Sequence, residues 1–181
     1  MSNNAKKKVV LVEDDPEVRK IIRETLSPYF QDIEVFEATN AGEAMNLLFP
    51  DPPGNHPDAL ILDLMMPYGE ADQELDSDSD QDQIETGVRL LDYLRNREKS
   101  DLGTNIAYPL WVAVITARNN PHLIQRIEQL LAGSGRIYLK PFNDLELEHD
   151  LAYILNIKSQ VDQILLSPEY SPPMRASGGA Q

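Results

Sequence analysis

The chain has 181 residues, 41% of them hydrophobic and 25% charged, and its 30 Asp and Glu against 16 Lys and Arg give a net charge of -14. That length suits one domain with attachments, the charge has the wrong sign for neutralising nucleic-acid phosphates, and the lack of cysteine excludes disulfide frameworks, thiolate metal sites and cysteine nucleophiles. No apolar run approaches the roughly 18 residues of a bilayer span, and the run from Val9 to Val12 is too short for a secretory signal, so the expectation is a protein of the cytoplasm with neither membrane nor nucleic-acid partners.

Residues 1–7 read as a flexible N-terminus. The continuous apolar run from Lys8 to Glu13 suits a parallel strand covered on both faces. Asp15 then caps a helix with Pro16 at its first position, Val18, Ile21, Ile22 and Leu26 make its apolar stripe, and Ser27-Pro28 stops it. Ile33 to Ala38 is a weaker strand of sheet-edge type, and Asn40 with Glu43 opens a second helix through a capping box. After a proline-rich turn over 50–57, Ala59 to Asp63 is a buried strand.

An acidic insertion over 69–86 follows, with eight acids and no base between Glu70 and Glu85, so more than half of the net charge is local to a run without apolar anchors. Glu74, Asp76, Asp78 and Glu85 fall on a calcium-loop template, but Ser79 stands where that loop needs glycine, and a solvated loop is the better reading. A helix through Val88, Leu91 and Leu94 leads to a strand from Leu110 to Thr116, with Tyr108 and Trp111 packing at its start. Asn120-Pro121 opens a helix with Ile127 and Leu131 inward, Arg136 to Lys140 is a short fifth strand, and Asn143 opens the last helix. The domain is set at 8–158. Leu151, Ile154, Val161 and Leu165 keep helical spacing, which extends the last helix over 159–166, and 167–181 read as a disordered tail.

A strand followed by a helix, five times over, implies an α/β fold: a parallel sheet with right-handed crossovers and helices on both faces. Ligands of such sheets bind beyond the carboxyl ends of the strands. At those ends stand Glu13 and Asp14, Asp63, Thr116 and Lys140. Any one of them alone reads as an ordinary polar strand end; together they bring three carboxylates, a hydroxyl and an ammonium to one place. Oxygen-only ligands favour a hard divalent cation such as Mg2+. A carboxylate nucleophile beside a metal, a lysine and a hydroxyl suits phosphoryl transfer.

Val-Leu-Val-Glu-Asp-Asp-Pro (10–16), Leu-Ile-Leu-Asp-Leu-Met-Met-Pro (60–67), Val-Ile-Thr-Ala-Arg (114–118) and Leu-Lys-Pro-Phe (139–142) come in the order and, insertions apart, the spacing of the response-regulator receiver domain, which the chain resembles over about residues 7–157. The resemblance implies a flavodoxin-like sheet of strand order 2-1-3-4-5. It makes Asp63 the phosphoacceptor, Glu13 and Asp14 the acidic pair for Mg2+, and the Met65 backbone carbonyl a further metal ligand. Thr116 becomes the switch hydroxyl, Lys140 the phosphoryl-binding lysine and Lys140-Pro141 a cis peptide. Its partners are a histidine kinase or histidine phosphotransfer protein upstream and an effector protein downstream. The residues after Lys158 are too few for an output domain, which implies a stand-alone receiver that is a phosphoacceptor rather than an enzyme.

The chain departs from that family in places. Ile137 occupies the position of the switch aromatic and reads either as core or as an altered switch, while Tyr138 belongs on the opposite face. The stretch from Gly133 to Arg136 lacks the acids of regulators that dimerise through this face. Met65 offers no polar side chain to orient a hydrolytic water, so it implies slow self-dephosphorylation or is a packing residue, and Arg118 is placed to meet the phosphoryl group or an acid. His56, His122 and His149 are scattered and read as structural or surface residues. A haloacid-dehalogenase-like phosphatase needs a second acid where Met65 stands. The alternative reading is a receiver-like interaction module that acts without phosphorylation.

Overall fold

The computed structural model describes residues 5–50, 56–69, 86–100 and 109–157. The apolar runs form β1 (Lys7–Val12), β2 (Ile33–Ala38), β3 (Ala59–Asp63), β4 (Trp111–Thr116) and β5 (Gly135–Leu139). They lie in one sheet of order β2-β1-β3-β4-β5, every neighbouring pair parallel. The amphipathic segments form α1 (Pro16–Leu26), α2 (Ala41–Leu48), α3 (Thr86–Ser100), α4 (Pro121–Leu131) and α5 (Asp144–Leu155), and a single 3-10 turn follows α1 at Ser27–Tyr29.

Alternation along the strands divides the interior in two. Val10, Val12, Leu60, Leu62, Val112 and Val114 face α2, α3 and α4. Val9, Leu11, Ala59, Ile61, Ala113 and Ile115 face α1 and α5. Burying an aliphatic side chain of this kind contributes roughly 1.5–3 kcal/mol, and the three central strands bury both faces, so the sheet and its helices are held by apolar packing. Ile137 joins the first face and Tyr138, 3% exposed, the second. Trp111 is half-buried on the α1 and α5 side.

Caps fix where the helices begin. Asp15 Oδ1 accepts from the Glu17 and Val18 amides at 2.8 and 3.2 Å. Asn40 accepts from the Glu43 amide at 2.9 Å, and the Glu43 carboxylate reaches back to the Thr39 amide at 2.7 Å rather than to that of Asn40. Asn120 and Asn143 cap α4 and α5 in the same way. At its end, α5 stops at Leu155 with Asn156 in the left-handed region at φ 54°.

Two polar contacts tie elements across the fold. Arg95, 6% exposed, pairs with Glu98 at 2.8 Å and donates to the carbonyls of Leu110, Leu130 and Ser134 at 3.0, 2.9 and 3.2 Å. Between β5 and α5, Asp150 accepts from the Tyr138 hydroxyl at 2.6 Å and from Arg136 at 2.7 Å.

Lys7, assigned to a flexible N-terminus from sequence, instead opens β1: it pairs with Ile33, and its amide donates to the Asp32 carbonyl at 2.8 Å. His56 and His122 are exposed, and His149 is half-buried beside Asp150. The acidic run 70–85, Tyr108, the helical extension expected over 159–166 and the tail 167–181 lie outside the described residues. Among the described residues no helix is long and apolar enough to cross a membrane.

Candidate functional site

Strand register assembles the site. Val12 pairs with Leu62, so the next residues, Glu13 and Asp63, leave adjacent strands side by side. Asp63 pairs with Ile115, one residue before Thr116, and Thr116 pairs with Leu139, one residue before Lys140. The Lys140 amide donates to the Thr116 carbonyl at 2.8 Å, and the Lys140-Pro141 peptide bond is cis. Parallel pairing thus sets one polar residue after another along a single edge of the sheet.

Glu13, Asp14 and Asp63 each offer a carboxylate oxygen within 4.8 Å of the others. Glu13 and Asp63 are 1% and 5% exposed, whereas Asp14 faces solvent. The Lys140 ammonium bridges the two buried acids, donating to Glu13 Oε2 at 2.9 Å and to Asp63 Oδ2 at 2.9 Å. The other carboxylate oxygens are held by backbone: Asp63 Oδ1 accepts from the Met65 amide at 3.1 Å and Glu13 Oε1 from the Asp15 amide at 3.3 Å. Thr116 is fully buried, and its Oγ1 accepts from the Arg118 amide at 3.0 Å. The Arg118 side chain is exposed, as is that of Met65.

One ammonium among three carboxylates leaves the cluster anionic. Burial first, and then the charge of Asp63, push Glu13 from 4.5 up to about 7, against the opposing pull of Lys140. Burial pulls Lys140 down, but hydrogen bonds and charge from Glu13 and Asp63 outweigh it and raise it overall. A group that adds positive charge without bringing apolar bulk relieves this repulsion, and an oxygen-only donor set suits Mg2+. The residues present therefore fit that ion.

Two neighbours unmarked by any motif also reach the site. Gly87 sets the start of α3 against the β3 end: its amide donates to the Leu64 carbonyl at 3.2 Å, and a Cβ there would meet Leu64 Cα at 2.5 Å and the Asp63 carbonyl oxygen at 2.6 Å. Arg19 of α1 donates to the Glu13 carbonyl at 2.7 Å. A glycine just after the acidic run is the sequence trace that Gly87 leaves, whereas Arg19 reads in sequence as any other helix-surface charge.

No family model matches the chain. It is 27% identical over 157 residues to the sensor histidine kinase TmoS of Ectopseudomonas mendocina, a match that covers 87% of this chain but spans only 13% of that protein's length. Among solved structures it is similar to the signal receiver domain of a putative Luxo repressor protein from Vibrio parahaemolyticus, with TM-score 0.58 and 19% identity over 90% of this chain and 99% of that one. It is likewise similar to the isolated REC domain of RcsB from Salmonella enterica serovar Typhimurium, with TM-score 0.59 and 23% identity over 86% and 92%. That structure was determined in the presence of the phosphomimetic BeF3-. The chain has the fold of response-regulator receiver domains, five parallel strands in the order 2-1-3-4-5.

Proposed function

We propose that this chain is a two-component receiver that takes a phosphoryl group onto Asp63 from the phosphohistidine of a histidine kinase or histidine phosphotransfer protein. The observation that carries the reading is the Lys140 ammonium held 2.9 Å from both Asp63 and Glu13, at a strand edge that also presents Thr116. An Asp63 carboxylate oxygen attacks phosphorus as the bond to the histidine nitrogen breaks, and the imidazole leaves with the electron pair. Phosphoryl transfer asks little covalent chemistry of a protein and much positioning and charge neutralisation. Asp63 is positioned by the Met65 amide and Lys140, and Lys140 is placed to keep one phosphoryl oxygen neutralised after transfer.

Glu13, Asp14, Asp63 and the Met65 carbonyl are the residues that would hold Mg2+, which supplies charge neutralisation at the phosphoryl oxygens. Thr116 accepts from the Arg118 amide and so keeps its own hydroxyl proton to donate. Donation to the new aspartyl phosphate draws on β4, and with it α4 and β5, giving a second state that a downstream protein reads. The apolar Met65 side chain, 37% exposed beside the acceptor, supports a slow loss of the phosphoryl group. The reading places the protein in the cytoplasm, with its donors.

Purified protein incubated with Mg2+ and acetyl phosphate is expected to gain one phosphoryl group by intact mass, and Asp63→Asn none. A wild-type protein that gains nothing from acetyl phosphate or from a phosphorylated histidine kinase would instead point to an interaction module.

A further inference from the structure

Beyond the five side chains gathered at the strand ends, the β1–α1 turn that carries the acidic pair is held by a residue outside that set. Arg19 lies one turn into α1 and is half-buried, with its side chain 18% exposed. Its Nη1 donates to the Glu13 carbonyl at 2.7 Å and more weakly to the Asp14 carbonyl at 3.4 Å. Its Nε faces Glu37 Oε2 at 3.3 Å, at the carboxyl end of β2, where Arg23 also pairs with Glu37. One planar guanidinium therefore joins the acidic turn, the helix that follows it and the neighbouring strand.

The backbone around Glu13 shows why this matters. Its amide is spent on the Ala38 carbonyl at 3.1 Å, so β2 fixes one side of the residue. Its carbonyl, past the end of the strand ladder, has Arg19. The Glu13 and Asp14 side chains leave the chain at the two peptide units whose carbonyls Arg19 binds, so the orientation of those units sets where the carboxylates point. A charge-assisted bond from a rigid fork holds such a unit better than water does. Lysine, a compact ammonium on a flexible stem, lacks the planar fork that here spans the carbonyls and Glu37.

We propose that Arg19 is a positioning residue for the metal site: it holds the Glu13 and Asp14 carbonyls so that both side chains stay aimed at the cation. The inference rests on the Mg2+ reading of the site given above. Groups one step removed from a metal, when lost, typically weaken affinity by about 10- to 100-fold, and Arg19 acts through backbone, so the low end applies.

The test is Mg2+ binding to the full chain by isothermal titration calorimetry, alongside thermal unfolding without Mg2+. Arg19→Met is expected to raise the Kd for Mg2+ about tenfold while its phosphorylation rate from acetyl phosphate recovers at saturating Mg2+. Arg19→Lys is expected to bind more weakly than wild type but better than Arg19→Met. Glu37→Gln, which removes the ion pair and leaves the carbonyl contacts, is expected to bind as wild type does. An unchanged Kd in Arg19→Met overturns the proposal, and so does an equal loss in Glu37→Gln, since Arg19 would then act only through its ion pair. Should Arg19→Met not fold, Arg19→Lys decides, and a wild-type Kd there overturns the proposal. A wild-type protein that takes up no Mg2+ brings down the reading of the site itself, a result distinct from all of these.

Discussion

Glu13 and Lys140 set the charge state of the site between them. With its pKa raised from 4.5 to about 7 by burial and by Asp63, Glu13 keeps a proton in the folded chain that the unfolded chain has already lost. Without metal, stability therefore falls as pH rises across that window, because the folded state binds more protons there than the unfolded state does. Urea midpoints measured through the window are expected to show that fall in wild type, and Glu13→Gln, which has no proton to lose, is expected to flatten it. Mg2+ binding has the opposite sign: it needs the carboxylate, so affinity is expected to weaken as pH drops through about 7. Among the described residues, Lys140 is the only basic side chain that donates to the Glu13 or Asp63 carboxylate. Lys140→Met is expected to slow phosphorylation from acetyl phosphate about a hundredfold, the order seen when one preorganised donor to a developing charge is removed. A rate within a few-fold of wild type would remove Lys140 from the chemistry.

Helices and strands were legible in the sequence wherever their cause was local. Asp15, Asn40, Asn120 and Asn143 all cap the helices they precede, since a cap needs only its own next few residues. The strand ends were legible because a polar residue closing an apolar run stands out. Contacts between distant elements were not. Arg95 reads as one more charge on α3, yet it is buried because the carbonyls of Leu110, Leu130 and Ser134 meet it from across the fold. Arg19 is lost among Glu17, Lys20, Arg23 and Glu24 for the same reason: carbonyl acceptors leave no trace in sequence. Removing Arg95 takes the countercharge from the largely buried Glu98, which keeps only the Leu110 amide, and takes a donor from the Leu110, Leu130 and Ser134 carbonyls, so Arg95→Met is expected to cost about 3 kcal/mol in urea unfolding. Gly87→Ala acts on a different pairing, forcing a Cβ into the Leu64 and Asp63 backbone. Its expected signature is a lower unfolding midpoint together with slower phosphorylation, because the displaced backbone carries the acceptor.

The sheet divides the whole molecule into two interiors, one under α2, α3 and α4 and the other under α1 and α5, and the site lies along the edge where the two meet. A shift of β4 and β5 relative to β1 and β3 is thus felt in both. The βα repeat implied a parallel sheet, but strand order depends on which crossovers change direction, and that came from family resemblance rather than from pattern. Within the order observed, Asp63 and Thr116 end adjacent strands, and Lys140 follows Thr116 through the Lys140 amide bond to its carbonyl. A phosphoryl group on Asp63 that draws the Thr116 hydroxyl toward it pulls on β4 first, and on α4 and β5 through their packing. Hydrogen exchange is then expected to change over 111–139 on treatment with Mg2+ and acetyl phosphate, while β2, at the far edge of the sheet and paired with β1 alone, keeps its protection. Thr116→Val keeps the shape of the buried side chain and removes the hydroxyl, both the donor and the acceptor that meets the Arg118 amide. It is expected to keep the phosphoryl adduct by intact mass and lose the exchange response, because acceptance depends on Asp63 and Lys140 and only the coupling depends on the hydroxyl. An equal response in Thr116→Val would mean that the two states are linked through Lys140 and β5 instead.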